Sequence, residues 1–302
     1  MTFIEKALKK MQTAAAPGIQ QQAFPEHARV ATDASAEAGA RTPAHTEHAS
    51  GPRGPRVTID RDALLADGLL APPLVERQIL EQFRQIRRPL IANAFGRGGP
   101  KLEMGQLIML VSALPGEGKT FMSFNLALSM ARQKGIRVLL VDADVRKPHI
   151  SRILGLGGAP GLLDLLRTPG LNPEGLIAST DVPGLSVLPA GGHAENATEL
   201  FASSNMLGTM RRLVERDRAG VVLLDSSPIL CTTESQTLTD VSGQLVVVVR
   251  AAATPRSALL DALSYLADRP MVSLVLNQST SDAPTGDYYY GYGDSAARPP
   301  AA

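Results

Sequence analysis

The sequence predicts an α/β domain built on a mainly parallel β-sheet with helices on both faces. Three observations carry this. Continuous Val, Ile and Leu runs recur from Leu107 onward, at Leu107–Ala113, Ile136–Asp144, Leu185–Pro189, Val221–Asp225, Leu245–Arg250 and Val272–Asn277. Helical patterns separate most of these runs, and strands buried on both sides by helices read as unbroken apolar stretches. A glycine-rich, lysine-bearing turn joins the first run to the helix that follows it.

The chain has 302 residues, 44% of them hydrophobic, which is enough for one large domain or two ordinary ones. A net charge of +1 argues against a nucleic-acid protein held by phosphate contacts. The single cysteine, Cys231, excludes an intrachain disulfide and fits a reducing compartment. No apolar run approaches the roughly 18 residues needed to span a bilayer, and the N-terminus does not read as a secretory signal. The expectation is therefore a cytoplasmic protein.

Residues 1–13 read as a short amphipathic helix. Thr2 and Glu5 form a capping box, Phe3, Ile4, Leu8 and Met11 an apolar stripe, and Lys6, Lys9 and Lys10 a basic side. It is either a frayed terminal helix or a docking segment for a partner or an anionic membrane. Residues 14–56, rich in Ala, Pro, Gly, Thr and His, read as a disordered linker, with His27, His45 and His48 solvated. Order is expected over 57–277. A helix is expected over 73–88, in a pattern with Ile79, Phe83, Ile86 and Leu90 about three or four residues apart, and Pro89 is expected to end it. Thr120–Gln133 is a second helix, with Gly135 as its C-cap. Residues 278–302 form a polar, Gly-rich, flexible tail.

The segment Ala113-Leu-Pro-Gly-Glu-Gly-Lys119-Thr120 follows a strand and opens a helix, as a phosphate-binding loop must. Gly116 and Gly118 let the backbone wrap so that its N–H groups point at phosphate oxygens. Lys119 is expected to reach the β- and γ-phosphates, and the Thr120 hydroxyl to bind Mg²⁺. Pro115, Gly116, Glu117, Gly118, Lys119, Thr120 and Phe121 are the candidate ATP-binding residues. Ala113 departs from the glycine usual at the first position. The bland alternative is a Gly/Pro turn with a surface lysine. Val221-Val-Leu-Leu-Asp225-Ser-Ser-Pro228 is a buried strand ending in a carboxylate beside that loop, able to hold Mg²⁺ directly or through water. Asp142-Ala-Asp144-Val-Arg146 places two acids and an arginine at another strand end. It is a salt-bridged turn, or a site that needs a cation.

These three motifs, in this order, resemble the bacterial tyrosine kinase family, the P-loop kinases of exopolysaccharide and capsule assembly. The similarity runs from about Leu74 to the end. Phe3-Ile-Glu-Lys-Ala-Leu and Arg88-Pro-Leu-Ile-Ala-Asn-Ala look like the exosortase-associated subgroup without transmembrane segments. The resemblance implies a P-loop NTPase-like fold, Mg-ATP as cofactor, and phosphorylation of the tail cluster Tyr288, Tyr289, Tyr290 and Tyr292. It implies catalytic roles for Lys119, Asp142, Asp144, Arg146 and Asp225. Thr120, Asp144 and Asp225 would lie at the metal, and Asn277 at the adenine. Either Asp142 or Asp144 would take the tyrosine proton. Glu81-x-x-Arg84-x-x-Arg87 matches the family's oligomerisation motif, although from spacing alone it is a solvated charged face. The implied partners are further copies of the chain in a ring, a membrane polysaccharide co-polymerase or chain-length determinant protein that recruits it to the inner face of the plasma membrane, and a tyrosine phosphatase. Two alternatives stand beside this. A partitioning or cell-division ATPase would carry a signature lysine where this chain has Leu114. A non-catalytic nucleotide-binding scaffold would keep the motifs without turnover. Cys231, His149 and His193 have no assigned role.

Overall fold

β-Branched and leucine side chains alternate between two apolar layers, so the strand runs form one sheet enclosed on both sides. The computed structural model describes residues 54–97, 99–192 and 195–279, within the second of the two units into which the chain divides, Ala49–Ala302. Its strands are β1 (Arg56–Val57), β2 (Leu107–Ser112), β3 (Arg137–Asp142), β4 (Ala178–Thr180), β5 (Leu185–Leu188), β6 (Gly220–Asp225), β7 (Gln244–Arg250) and β8 (Val272–Asn277). They lie in the order β1-β4-β5-β3-β6-β2-β7-β8, and every pair is parallel except β4 with β5. The mainly parallel P-loop NTPase-like sheet expected from the sequence is thus present.

The helices are α1 (Arg61–Ala66), α2 (Pro73–Ala94), α3 (Lys119–Ala131), α4 (His149–Ile153), α5 (Leu162–Arg167), α6 (Ala197–Phe201), α7 (Asn205–Glu215), α8 (Thr233–Val241) and α9 (Arg256–Ser264). Ile108, Leu110, Val138, Leu140, Val221 and Leu223 face one layer, with α2 and α3. Met109, Val111, Leu139, Val141, Val222 and Leu224 face the other, with α5, α7, α8 and α9. This strict alternation is what binds one sheet into two cores.

The expected end of the 73–88 helix at Pro89 is corrected: α2 continues through it to Ala94. Proline removes the bond to the carbonyl four residues back, here Gln85. Both residues are exposed, so water can reach that carbonyl. Leu90, Ile91 and Ala94 bury their side chains just beyond and hold the last turn in place. Gln244 anchors the same end. Its Nε2 donates to the carbonyls of Leu90 (3.0 Å) and Gly105 (2.6 Å), and its Oε1 accepts from Asn93 (3.2 Å). The helix after the loop is capped by Arg132 rather than Gly135, which lies three residues later in a left-handed turn. The N-terminal helix, residues 14–53 of the expected linker, residues 280–302 of the tail and His193 fall outside the described residues. The expected linker end at 56 is corrected: Arg56 already pairs with Ser179 in β1, because the parallel ladder to β4 holds it.

Candidate nucleotide and phosphoryl-transfer site

Parallel register builds the acidic half of the site. β3 and β6 are neighbours, and Asp142 pairs with Asp225, so two carboxylates stand side by side at the carboxyl ends of the strands. β6 also borders β2, whose end feeds the glycine loop. Ligands in open α/β sheets bind at this edge. Pro115 and Gly116 are exposed at the crest, Thr120 and Phe121 are half-buried, and Lys119 is buried at the start of α3.

The loop holds its shape through contacts invisible in the motif. Gly116 and Gly118 have φ of 80° and 86°, the left-handed region that side chains disfavour. A Cβ on Gly118 would also sit 2.0 Å from Asn277 Nδ2. That amide donates to the Glu117 carbonyl (2.9 Å), which brings the end of β8 against the loop. The Glu117 side chain is buried; its Oε2 accepts from the Leu114 amide (2.9 Å) and its Oε1 from the Thr254 hydroxyl. Glu117 therefore acts through its carboxylate as a brace, beyond its expected backbone contribution.

Lys119 Nζ lies 3.8 Å from Asp225 Oδ1, and the Ser123 hydroxyl donates to the same oxygen (2.8 Å). Asp142 is fully buried. Its Oδ2 accepts from the Ser151 amide (2.8 Å) and hydroxyl (2.7 Å), while Oδ1 is buried without a partner among the described residues. Burial first, and then the Asp225 charge, push the Asp142 carboxyl up from 3.8 to about 7. Asp144 is half-buried at the rim, where its Oδ1 accepts from Ser227 Oγ (2.7 Å) and from the Lys147 amide (3.1 Å). The three acids, Lys119 and Thr120 share one end of the sheet.

Arg146 is directed elsewhere. Its guanidinium donates to Glu234 Oε1 (2.9 and 3.2 Å), which also accepts from Thr198 (2.8 Å). Burial opposes ionisation of Glu234, but hydrogen bonds from its own amide, Thr198 and Arg146 hold its carboxyl below the usual range. Glu234, Ser123, Ser151 and Glu117 were not assigned these contacts from sequence, because each is defined by a partner distant in the chain or by a buried loop geometry. On α2, Glu81 and Arg84 pair with each other (2.8 Å), and Arg87 turns inward to the Ser129 carbonyl on α3.

An Mg-nucleotide fits these residues. The donor set is carboxylate and hydroxyl oxygen, as a hard cation requires, and Asp142 Oδ1 is buried without a partner beside Asp225, to which Lys119 Nζ comes within 3.8 Å. No group of three or more His, Cys, Asp or Glu residues forms a metal cage among the described residues. Mg²⁺ held by one or two carboxylates plus substrate phosphate needs none.

The fold and loop define a P-loop nucleotide-binding domain: the profile of the CobQ/CobB/MinD/ParA nucleotide binding domain matches residues 108–247. The tyrosine-protein kinase YwqD of Bacillus subtilis is 30% identical over 219 residues, covering 71% of this chain and 87% of that protein. The chain belongs to the bacterial tyrosine-protein kinase family. The putative tyrosine-protein kinase EpsB of Ralstonia nicotianae is 31% identical over 76% of this chain. The succinoglycan biosynthesis transport protein ExoP of Rhizobium meliloti is 27% identical over 58% of it. This chain spans only 29% and 22% of those two proteins. Among solved structures, the VpsO kinase domain superposes with a TM-score of 0.55 at 27% identity, covering 67% of this chain and 98% of that one. The BceF tyrosine kinase domain gives 0.56 at 26%, covering 74% and 91%. Among the described residues no helix is long and apolar enough to cross a membrane.

Proposed function

We propose that the chain is an Mg-ATP-dependent tyrosine autokinase that phosphorylates Tyr288, Tyr289, Tyr290 and Tyr292 of its own tail and thereby regulates exopolysaccharide assembly. The observation that carries this reading is the paired Asp142 and Asp225 beside Lys119 at the end of a glycine loop. Bound Mg-ATP would supply the phosphoryl group and the charge that draws it toward the acceptor. The Gly116–Thr120 backbone and Lys119 bind the phosphates. Thr120, Asp225 and Asp144 hold the metal. Asp142 is the side chain we assign to the tyrosine proton, directly or through one water, because its Oδ1 is unpartnered and its carboxyl titrates near neutral pH. Arg146, tied to Glu234, positions the turn that carries Asp144. Asn277 braces the loop through the Glu117 carbonyl and would contact the adenine of a bound nucleotide.

Glu81 and Arg84 are proposed at a ring interface between copies. A relative named for succinoglycan transport supports a polysaccharide setting. In that setting a membrane co-polymerase would recruit the chain to the inner membrane face and a tyrosine phosphatase would reverse the modification. The test is purified full-length protein with Mg-ATP, probed for phosphotyrosine. Accumulation in wild type and its loss in Lys119→Met support the reading; ATP hydrolysis without phosphotyrosine removes it.

A further inference from the structure

A cavity of about 400 Å³ lies between α2 and the C-terminal end of α3, away from the glycine loop. Arg84, Arg87, Arg88 and Arg97 line it, with Ile91 and Gln133. Burial, and then the charges of Arg84 and Arg132, pull Arg87 below its usual range, so the arginines feel one another. One carboxylate answers them among the described residues: Glu81, on Arg84. Arg97 is steadied 5.6 Å over the Phe95 ring, and Arg87 is fixed by the Ser129 carbonyl. Like charges gathered around a cavity repel unless an anion joins them. Planar guanidinium forks match the oxygens of a phosphoryl group, to which they donate in pairs.

The chain itself offers such a ligand within reach. Asn277 sits against Gly118 at the start of α3, and Gln133 lies beyond its far end. The helix between them is roughly 21 Å long. The eleven residues from Asn277 to Tyr288 span about 35 Å when extended. Phosphotyrosines there, each adding about −1.5 to −2 charge, would stand beside Asp287 and Asp294.

We infer that this arginine cavity receives the phosphorylated tyrosines of segment 286–294, from the same copy or a neighbour. The source of the phosphate rests on the autokinase reading. Because Arg84 also belongs to the proposed ring interface, a phosphorylated tail seated there competes with the adjoining subunit.

The test does not need the kinase to work. A fluorescent synthetic peptide of residues 285–295, phosphorylated on Tyr288, Tyr289 and Tyr290, is titrated into full-length protein whose four tail tyrosines are phenylalanine. Saturable binding is expected, weaker by at least about tenfold for the unphosphorylated peptide, as loss of charge-assisted hydrogen bonds implies. Arg88→Gln with Arg97→Gln, both at exposed positions, should weaken the phosphopeptide similarly and leave ATP binding unchanged. Equal affinity for the two peptides overturns the proposal, as does unchanged affinity in the double variant. Inorganic phosphate binding as tightly as the phosphopeptide overturns the tail as occupant. Phosphopeptide binding by this variant, together with wild-type protein that makes no phosphotyrosine when given Mg-ATP, would overturn only the kinase reading.

Discussion

Asp142 is a carboxylate in a place where its charge is poorly tolerated. Its carboxyl stands at about 7, well above 3.8, so the folded state holds a proton that the unfolded chain has lost over that interval. The stabilising share of this proton is complete below pH 4 and disappears as pH rises through about 7. At about 1.4 kcal/mol per unit, a three-unit shift sets an upper bound of about 4 kcal/mol. Asp142→Asn should therefore remove a component of the pH dependence that wild type shows between pH 5 and 8 without nucleotide. Urea midpoints of both proteins across that range measure it, and parallel curves would contradict the placement of Asp142. Lys119 carries a related cost. A phosphate-binding lysine is expected from sequence to project at ligand, yet this one is 7% exposed beside Asp225. Lys119→Met leaves that buried acid without its cation, so a lowered melting temperature should accompany the lost activity.

At the scale of elements, the two loop glycines make a matched experiment. Both have left-handed φ, but a Cβ on Gly116 meets nothing within 4 Å, whereas on Gly118 it meets Asn277. Gly116→Ala should cost about 1–2 kcal/mol from backbone strain alone. Gly118→Ala should cost more and also displace Asn277, weakening ATP binding further. Equal losses, read by calorimetry, would mean that the contact with β8 does not support the loop. Pro89 gives the opposite sign. It lies inside α2 at an exposed position, so Pro89→Ala should restore a helical bond and raise the melting temperature, the interior penalty being about 3 kcal/mol in an unrelaxed helix. No rise would show that the helix is already relaxed around the ring.

These elements also show what was readable. The long strands were legible because six consecutive apolar residues have few other uses. β1 and β4, two and three residues long, carry no periodicity to detect. The helix stop at Pro89 misled because the missing donor was weighed above the apolar spacing that already reached Leu90, and the burial of Ile91 and Ala94 is set by tertiary packing. The glycines, Lys119 and the strand-end acids marked the candidate site by spacing, and the sheet gathers them at one end. Glu117, Ser123, Ser151 and Glu234 did not, since their roles follow from strand register and tertiary approach. Arg146 was legible as a member of its motif, whereas its partner Glu234, 88 residues away, was not.

At the scale of the whole molecule, the charged face of α2 divides into two kinds of residue. Glu81 and Arg84 are exposed and available to a neighbour, whereas Arg87 is tied to α3. Glu81→Ala with Arg84→Ala should reduce the assembled mass with little change in melting temperature, because an exposed pair is worth about 0–1 kcal/mol. Arg87→Ala should lower both. Light scattering with thermal melts separates the cases, and an unchanged mass in the double variant would return this face to solvent. The activity proposed for the paired acids and the glycine loop is transfer of phosphate onto the tail. The most direct measurement is peptide mass spectrometry of full-length protein incubated with Mg-ATP. Phosphate on Tyr288, Tyr289, Tyr290 and Tyr292, absent from Lys119→Met, is the predicted result. Phosphate confined to Tyr265, which is exposed at the end of α9, or no phosphotyrosine despite ATP hydrolysis, would contradict it.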